Sequence, residues 1–306
     1  MRRLAAVAAA LVLVACGKGT GHGAANEDSG SKRDAATPAT MFLLPSHLPA
    51  GFAVGPGQLV TQGRAEKAFA AAVGRVAASS GYDHVVFVLV SAASTDREVA
   101  ANEKSQPVDV NGITARLSDS PLTGAAVDWF ANGLSVAVLA APGLSIEVVA
   151  VARRLRLPDA GDPDHAEVAV PDGMATIASS HVETHAPEAG SSLDLVGPDQ
   201  ARVTVRLIAT EAPPQLTLGL ADHLARVRVR GHDGWAATAK RTIKEGIDVN
   251  TTAVGWREHS GQVVTVSGHT SLDQLRPIIE GLRHVSETEW RAALPTATTS
   301  RTPTPP

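Results

Sequence analysis

The hydrophobic positions between residues 41 and 290 fall into two patterns. Short runs rich in β-branched and aliphatic residues lie at 85–90 (Val-Val-Phe-Val-Leu-Val), 134–139 and 203–208, with further runs at 108–115, 227–236 and 262–266. Runs of this kind, bounded by Gly, Asn, Asp or Ser, predict strands. Helical periodicity is clearest after Ser271, where Leu272, Leu275, Ile278, Ile279 and Leu282 fall on one stripe. Ser271 with Gln274 three residues on has the form of a capping box, and Pro277 lies inside the helix it opens. A second helix is expected to close the first half of the chain, with Ile146, Val149 and Leu155 on its inner face. A third is expected over 64–78, with Phe69, Val73 and Val76 aligned; its counterpart over 183–192 is broken by Pro187 and Gly190.

The order of these patterns repeats. Pro49-Ala-Gly51-Phe52 matches Pro171-Asp-Gly173-Met174, and Val127-Asp-Trp129 matches Val254-Gly-Trp256. A turn follows each tryptophan, Asn132-Gly133 in the first half and Ser260-Gly261 in the second, the dipeptide type that closes hairpins. Each half ends on Leu-Arg, at 155–156 and 282–283, so the tryptophans and the Leu-Arg pairs are both 127 positions apart. Matching order at constant spacing predicts an internal duplication. The expected fold is α+β: two similar units, each an antiparallel sheet of about five strands packed on one or two helices. The units should span 41–157 and 165–290, joined by a Pro/Asp/Gly hinge at 158–164 and followed by a Pro/Thr-rich tail at 291–306. One face of each sheet is expected to meet its helix, leaving the other as a place for a ligand or partner.

The N-terminal pattern is of another kind. Met1-Arg2-Arg3 precedes an apolar run of 11 residues from Leu4 to Val14, the layout of a secretion signal over 1–15. The run is shorter than the about 20 residues a membrane span requires. Leu13-Val14-Ala15-Cys16-Gly17 resembles the lipobox of bacterial lipoproteins, which implies that Cys16 receives a diacylglyceryl thioether and becomes the mature N-terminus. Residues 16–40 then read as a flexible Gly/Ser/Ala-rich tether with a reach of roughly 25–30 Å. Cys16 is the sole cysteine, which excludes an intramolecular disulfide and any thiolate–zinc cluster within one chain.

Composition narrows the classes further. The chain carries 27 basic and 31 acidic residues, against the basic balance that nucleic-acid partners favour. Aromatics make up 3% of it, too few for base-stacking platforms. The segment 231–282 resembles a family of uncharacterised extracytoplasmic domains of Gram-positive lipoproteins. The matching residues are Gly231, Trp235, Trp256-Arg257-Glu258, Gly261, Val264, Val266, Gly268, Leu272, Leu275, Ile279 and Leu282. The first half keeps Trp129, Gly133 and Leu155 but has Ala131 where the second has Glu258. The resemblance implies a location and a hairpin-plus-helix fold, and brings no catalytic residues.

Candidate chemistry is sparse. There is no Gly-x-Ser-x-Gly elbow, phosphate-binding glycine loop, dinucleotide fingerprint or His-Glu-x-x-His, and Gly55-Pro-Gly57 reads as a turn. Asp128, beside Trp129, has no second carboxylate placed for acid/base work. His181, Glu183 and His185 form the one weak metal candidate, since on a helix the two imidazoles would face the same way and on a strand all three would share a face. Arg226, Arg228 and Arg230 alternate with Val227 and Val229, which reads either as an anion or lipid-headgroup site or as a charged outer strand face that resists aggregation. The expectation is therefore a non-catalytic binding or sensing module without a cofactor, lipid-anchored at the outer face of the cell membrane, with an envelope protein as its partner. A carrier of a lipid or other apolar ligand is the alternative, and a hydrolytic enzyme the third.

Overall fold

A computed structural model of the chain describes residues 42–61, 67–77, 81–92, 105–121, 123–159, 161–183, 189–198, 201–244, 247–259 and 261–295. The expected signal over 1–15, Cys16 and the expected tether over 16–40 lie outside these residues. In chain order the first strands are β1 (Phe42–Pro45), β2 (Ala53–Thr61), β3 (Lys67–Val76), β4 (Gly81–Ala92), β5 (Gln106–Val110), β6 (Ile113–Ser120), β7 (Gly124–Ala131) and β8 (Leu134–Ala140). Helix α1 (Ser145–Ala152), β9 (Leu155–Arg156), β10 (Glu167–Val168), β11 (Met174–Glu183), β12 (Ala189–Val196) and β13 (Arg202–Ala209) follow. The chain continues with β14 (His223–Val229), β15 (His232–Lys244), β16 (Ile247–His259) and β17 (Gln262–Gly268). It closes with α2 (Leu272–Gly281), β18 (Leu282–Val285) and α3 (Glu287–Ala293).

The expected α+β fold of two separate units is wrong. The described chain is mostly antiparallel β, with three α-helices and one 14-stranded sheet. The sheet has two wings of seven strands. The first runs β11-β3-β4-β8-β7-β6-β5 and the second β2-β12-β13-β17-β16-β15-β14. They join where β14 pairs with the start of β4, His223 to Asp83, Leu224 to Tyr82 and Ala225 to Gly81. The rest of β4 pairs with β8 along the same strand edge, so β4 must turn between its two partners. His84 makes the turn with a φ of 52°. Gly81 permits the approach, because a Cβ there would lie 2.7 Å from the Leu224 carbonyl oxygen.

The two wings exchange their leading strands. β1 pairs with β18 and β2 with β12, so both leave the first half of the chain for the second wing. Reciprocally, β10 pairs with β9 and β11 with β3.

Three cores hold the sheet. In the first wing, Val86, Val88, Val127, Trp129, Val136 and Val138 pack under Val148, Val151 and Ala152 of α1. In the second wing, Leu193, Val205, Val254, Trp256, Val264 and Val266 pack under β1, α2 and Trp290 of α3. The opposite faces are not free, as the sequence suggested. They share a third core, in which Leu216, Leu218, Leu220 and Ala221 wedge between Ala72, Phe87 and Leu139 of one wing and Leu224, Ala237 and Ala253 of the other. The sheet therefore both continues edge to edge and folds face to face.

Several local readings hold. Asn132 and Gly133 take φ of 53° and 74° in the β7–β8 turn, as a two-residue hairpin requires. Ser271 and Gln274 complete the capping box of α2, whose buried residues include Leu275, Ile278 and Ile279. Others fail. The expected helix over 64–78 is β3 where it is described, and the segment from 189 to 192 opens β12. Phe69, Ala71 and Val73 face the first core while Ala70 and Ala72 face the third. A strand buried on both faces loses its two-residue alternation, so its apolar positions mimic a helical stripe. Gly55-Pro56-Gly57 lies within β2 beside an irregularity in its pairing with β12. Ile146 is 83% exposed, and α1 buries Val148, Val151 and Ala152 instead.

Candidate functional site

The three arginines do not form one site. Arg226 and Arg228 project outward, as the alternation predicts, but Arg226 lies over the Trp235 ring at 5.5 Å and Arg228 pairs with Asp233 at 2.8 Å. Beyond Ala225, β14 has β15 as its single partner among the described residues, so this is a strand edge that the arginines guard. Arg230 turns the other way. It opens the β14–β15 turn at a φ of 50° and points under the end of α2.

There the Arg230 guanidinium donates to the carbonyls of Ile279, Glu280 and Leu282 at 3.3, 3.3 and 2.5 Å. A cation at a helix C-terminus offsets the partial charge of the last carbonyls. Nη2 of Arg230 donates to Oε1 of Glu258 at 3.2 Å, and His284 Nε2 lies 3.2 Å from the same oxygen. The Trp256 indole N–H donates to Oε2. Burial alone would raise the Glu258 carboxyl, but the Trp256 hydrogen bond and the Arg230 and His284 contacts outweigh it and hold it below the ordinary carboxylate range. The first wing has Asn111 in place of Arg230, with one bond to the Arg153 carbonyl at 2.9 Å. Ala131 stands where Glu258 does, and the Trp129 indole N–H is buried without a partner.

The other end of α2 differs between the wings as well. In the first wing, Asp119 of β6 accepts from the Gly143 N–H at 3.3 Å and from the Ser145 hydroxyl, closing the gap between the sheet and the start of α1. Asp119 pairs across the ladder with Ala125, and Thr238 pairs with Thr252, 127 positions on, so Thr238 holds the equivalent place. Threonine is too short to bridge, and α2 caps itself with Ser271 and Gln274. The hairpin β15–β16 also extends past the sheet, with 13 residues in each strand against eight in β6 and β7.

The result is an open cleft of about 700 Å³ between the hairpin face and the start of α2. Thr238, Lys240 and Asn250 line one side and His269, Thr270 and Gln274 the other. Asp222 borders it and accepts the Lys240 backbone N–H at 2.6 Å. Thr252 is buried and donates to the Thr270 carbonyl at 2.6 Å, which ties the two sides together. Donors and acceptors are mixed, no Phe, Tyr or Trp lines the cleft, and Leu272 is its largest apolar contributor. Such a lining suits a polar, hydrogen-bonding ligand.

The metal candidate is not assembled. His181 is exposed on β11 with its ring 5.1 Å from that of Phe69, Glu183 ends the same strand opposite Lys67, and His185 lies outside the described residues. No group of three metal-binding side chains occurs among the described residues. Trp129 and Trp256 are core residues. The sequence singled out neither the cleft nor the Glu258 cluster. Its one clue was the replacement of Glu258 by Ala131 in the first half.

No protein-family model matches the chain, and no curated protein matches it either. Among solved structures, the chain is similar to the apo structure of the immunity protein TplEi of the T6SS from Pseudomonas aeruginosa. That likeness covers 76% of this chain and 97% of that one at 10% identity, with a TM-score of 0.23, too low to carry an argument.

Proposed function

We propose that the chain is a non-catalytic binding module, lipid-anchored through Cys16 at the outer face of the cell membrane, and that it engages an envelope protein partner through the cleft of the second wing. The observation that carries this reading is the divergence of the two wings at one position. Asp119 closes the space that Thr238 leaves open, and a longer hairpin walls the opening. An enlarged, polar recess in one wing is where a scaffold places recognition. The first two cores speak against an apolar carrier, because their side chains fill the space between helix and sheet where an acyl chain would lie.

The test has two independent parts. Incorporation of labelled palmitate, and its loss in Cys16→Ser, checks the anchor. A photo-crosslinking side chain placed at Asn250 in living cells should capture one protein partner, and Thr270→Trp, which fills the cleft, should abolish that capture. Equal capture from Asn250 and from a distant exposed site such as Leu59 would overturn the assignment of the cleft.

A further inference from the structure

One cross-strand row of the second wing departs from its counterpart in the first. On the face away from α2, Ser192, Arg206 and Thr265 stand side by side across β12, β13 and β17. Residues directly opposed in antiparallel strands share a face, with Cβ atoms about 4.5–5.5 Å apart. Gln58 extends the row on β2 and Gly255 on β16. The equivalent row of the first wing is Ser180, Ala70, Leu89, Ala137 and Asp128 across β11, β3, β4, β8 and β7. There Ala70 belongs to the third core, and Leu89 and Ala137 pack against it. Where one wing has Ala-Leu-Ala, the other has Ser-Arg-Thr. Arg206 is half-buried, yet it makes no hydrogen bond and no ion pair among the described residues. Its neighbour Asp194 is already engaged: Oδ1 accepts from the Thr204 hydroxyl at 2.8 Å, and Oδ2 lies 3.8 Å from Arg202. Two guanidiniums therefore share one carboxylate, which leaves the patch positive. Burial lowers the pKa of Arg206 against the pull of Asp194, but a guanidinium does not deprotonate in a protein. A charge taken out of water without a partner is costly.

We propose that Arg206, flanked by the hydroxyls of Ser192 and Thr265, holds a small free oxyanion of the phosphate type. The guanidinium fork presents parallel N–H donors that match two oxygens of such an ion. Ser192 and Thr265 are buried beside it, and neither hydroxyl makes a hydrogen bond among the described residues. Donors on both flanks of the fork exceed what the two oxygens of a carboxylate would use and suit an ion with more. The bound ion supplies the counter-charge that Asp194, shared with Arg202, leaves short. The site lies on the opposite face of the wing from the cleft, so it goes beyond the partner contact and does not depend on it.

The experiment is equilibrium dialysis of the full-length chain, in mild detergent, against labelled inorganic phosphate. The wild type should bind one ion per chain. Arg206→Leu, which gives this place the side chain of Leu89 in the first wing, should weaken binding by at least about tenfold. Arg206→Lys keeps the charge without the fork and should weaken it severalfold. Arg228→Ala, which removes an exposed arginine, should leave it unchanged. Melting separates an ion site from a structural ion pair. Phosphate at about ten times its dissociation constant should raise the wild-type melting temperature by about 2–4 °C over chloride of equal ionic strength, and Arg206→Leu should lose that rise. In chloride, Arg206→Leu should melt no lower than wild type, because it removes a charge without a partner. No binding to the wild type at about 10 mM phosphate, equal binding by Arg206→Leu, or a lower melting temperature of Arg206→Leu in chloride, which would make Asp194 its structural partner, would overturn the proposal.

Discussion

The two wings share a strand order but treat their helices in opposite ways. In the first wing the helix start is held by side chains from the sheet, Asp119 directly and Arg75 and His84 through Glu147, and its end by Asn111 and the Arg153 bond to the Asp109 carbonyl. In the second wing the helix caps its own start, and its end is gripped by Arg230 within a cluster that includes Glu258, His284 and Trp256. Moving the anchoring from the start of the helix to its end frees the start for a cleft. The second wing thus carries both the more elaborate buried network and the more open surface. The network offsets what the cleft gives up in packing, because it fixes α2 to the sheet from the far end.

The largest effect expected from this comparison lies at the cluster. Glu258→Ala leaves Arg230 partly buried without its counter-ion, which should cost about 3–5 kcal/mol. Chemical denaturation reads it, and a loss below about 1 kcal/mol would mean that α2 is held by packing alone. Next comes the first wing's cap. Asp119→Ala should cost about 1 kcal/mol, as loss of a helix cap does, while Thr238→Ala at the equivalent place should cost little. Equal costs at the two positions would remove the basis for calling the cleft a divergence.

A third contrast is in pH, where the two wings carry carboxyls shifted in opposite directions. Burial raises the Asp128 carboxyl to about 6 against the pull of Arg116, and its Oδ2 has no hydrogen-bond partner. The folded form therefore holds this proton more tightly than the unfolded chain. Its contribution falls as pH rises from the ordinary carboxylate range through about 6. Asp128→Asn should raise the melting temperature at pH 7.5 and leave it nearly unchanged at pH 4. Glu258 runs the other way. Its depressed carboxyl contributes fully at neutral pH and loses that contribution as pH falls through its folded value, below the ordinary range. The smallest expected effect is at Arg228, whose ion pair with Asp233 is exposed on both sides; Arg228→Ala should change stability by less than about 0.5 kcal/mol. A large loss there would mean that the edge of β14 is held by more than its pairing with β15.

Local features were readable from sequence where local chemistry decides them. The Asn132-Gly133 turn and the Ser271–Gln274 box each follow from a few adjacent residues. β3 was misread because burial on both faces erases the alternation that marks a strand. The transfer of β1 and β2 to the second wing and of β11 to the first left no trace, since pairing between residues about a hundred or more positions apart has no local signature. The cleft was hidden for a related reason. Asp119 and Thr238 become comparable only after the cross-strand register is known, and neither residue stands out in its own neighbourhood.

The exchanged strands also govern the order in which the chain can fold. β1 and β2 are made early, yet their neighbours β12 and β18 are made only after residue 188. β3 likewise waits for β11. Neither half can complete its sheet while the chain is still emerging, and a chain cut at residue 157 would keep β3 without its outer neighbour. High sequence separation between contacting strands slows folding and exposes edges meanwhile. The two wings should therefore melt in a single transition, and truncated products of synthesis should be cleared rather than persist as folded halves.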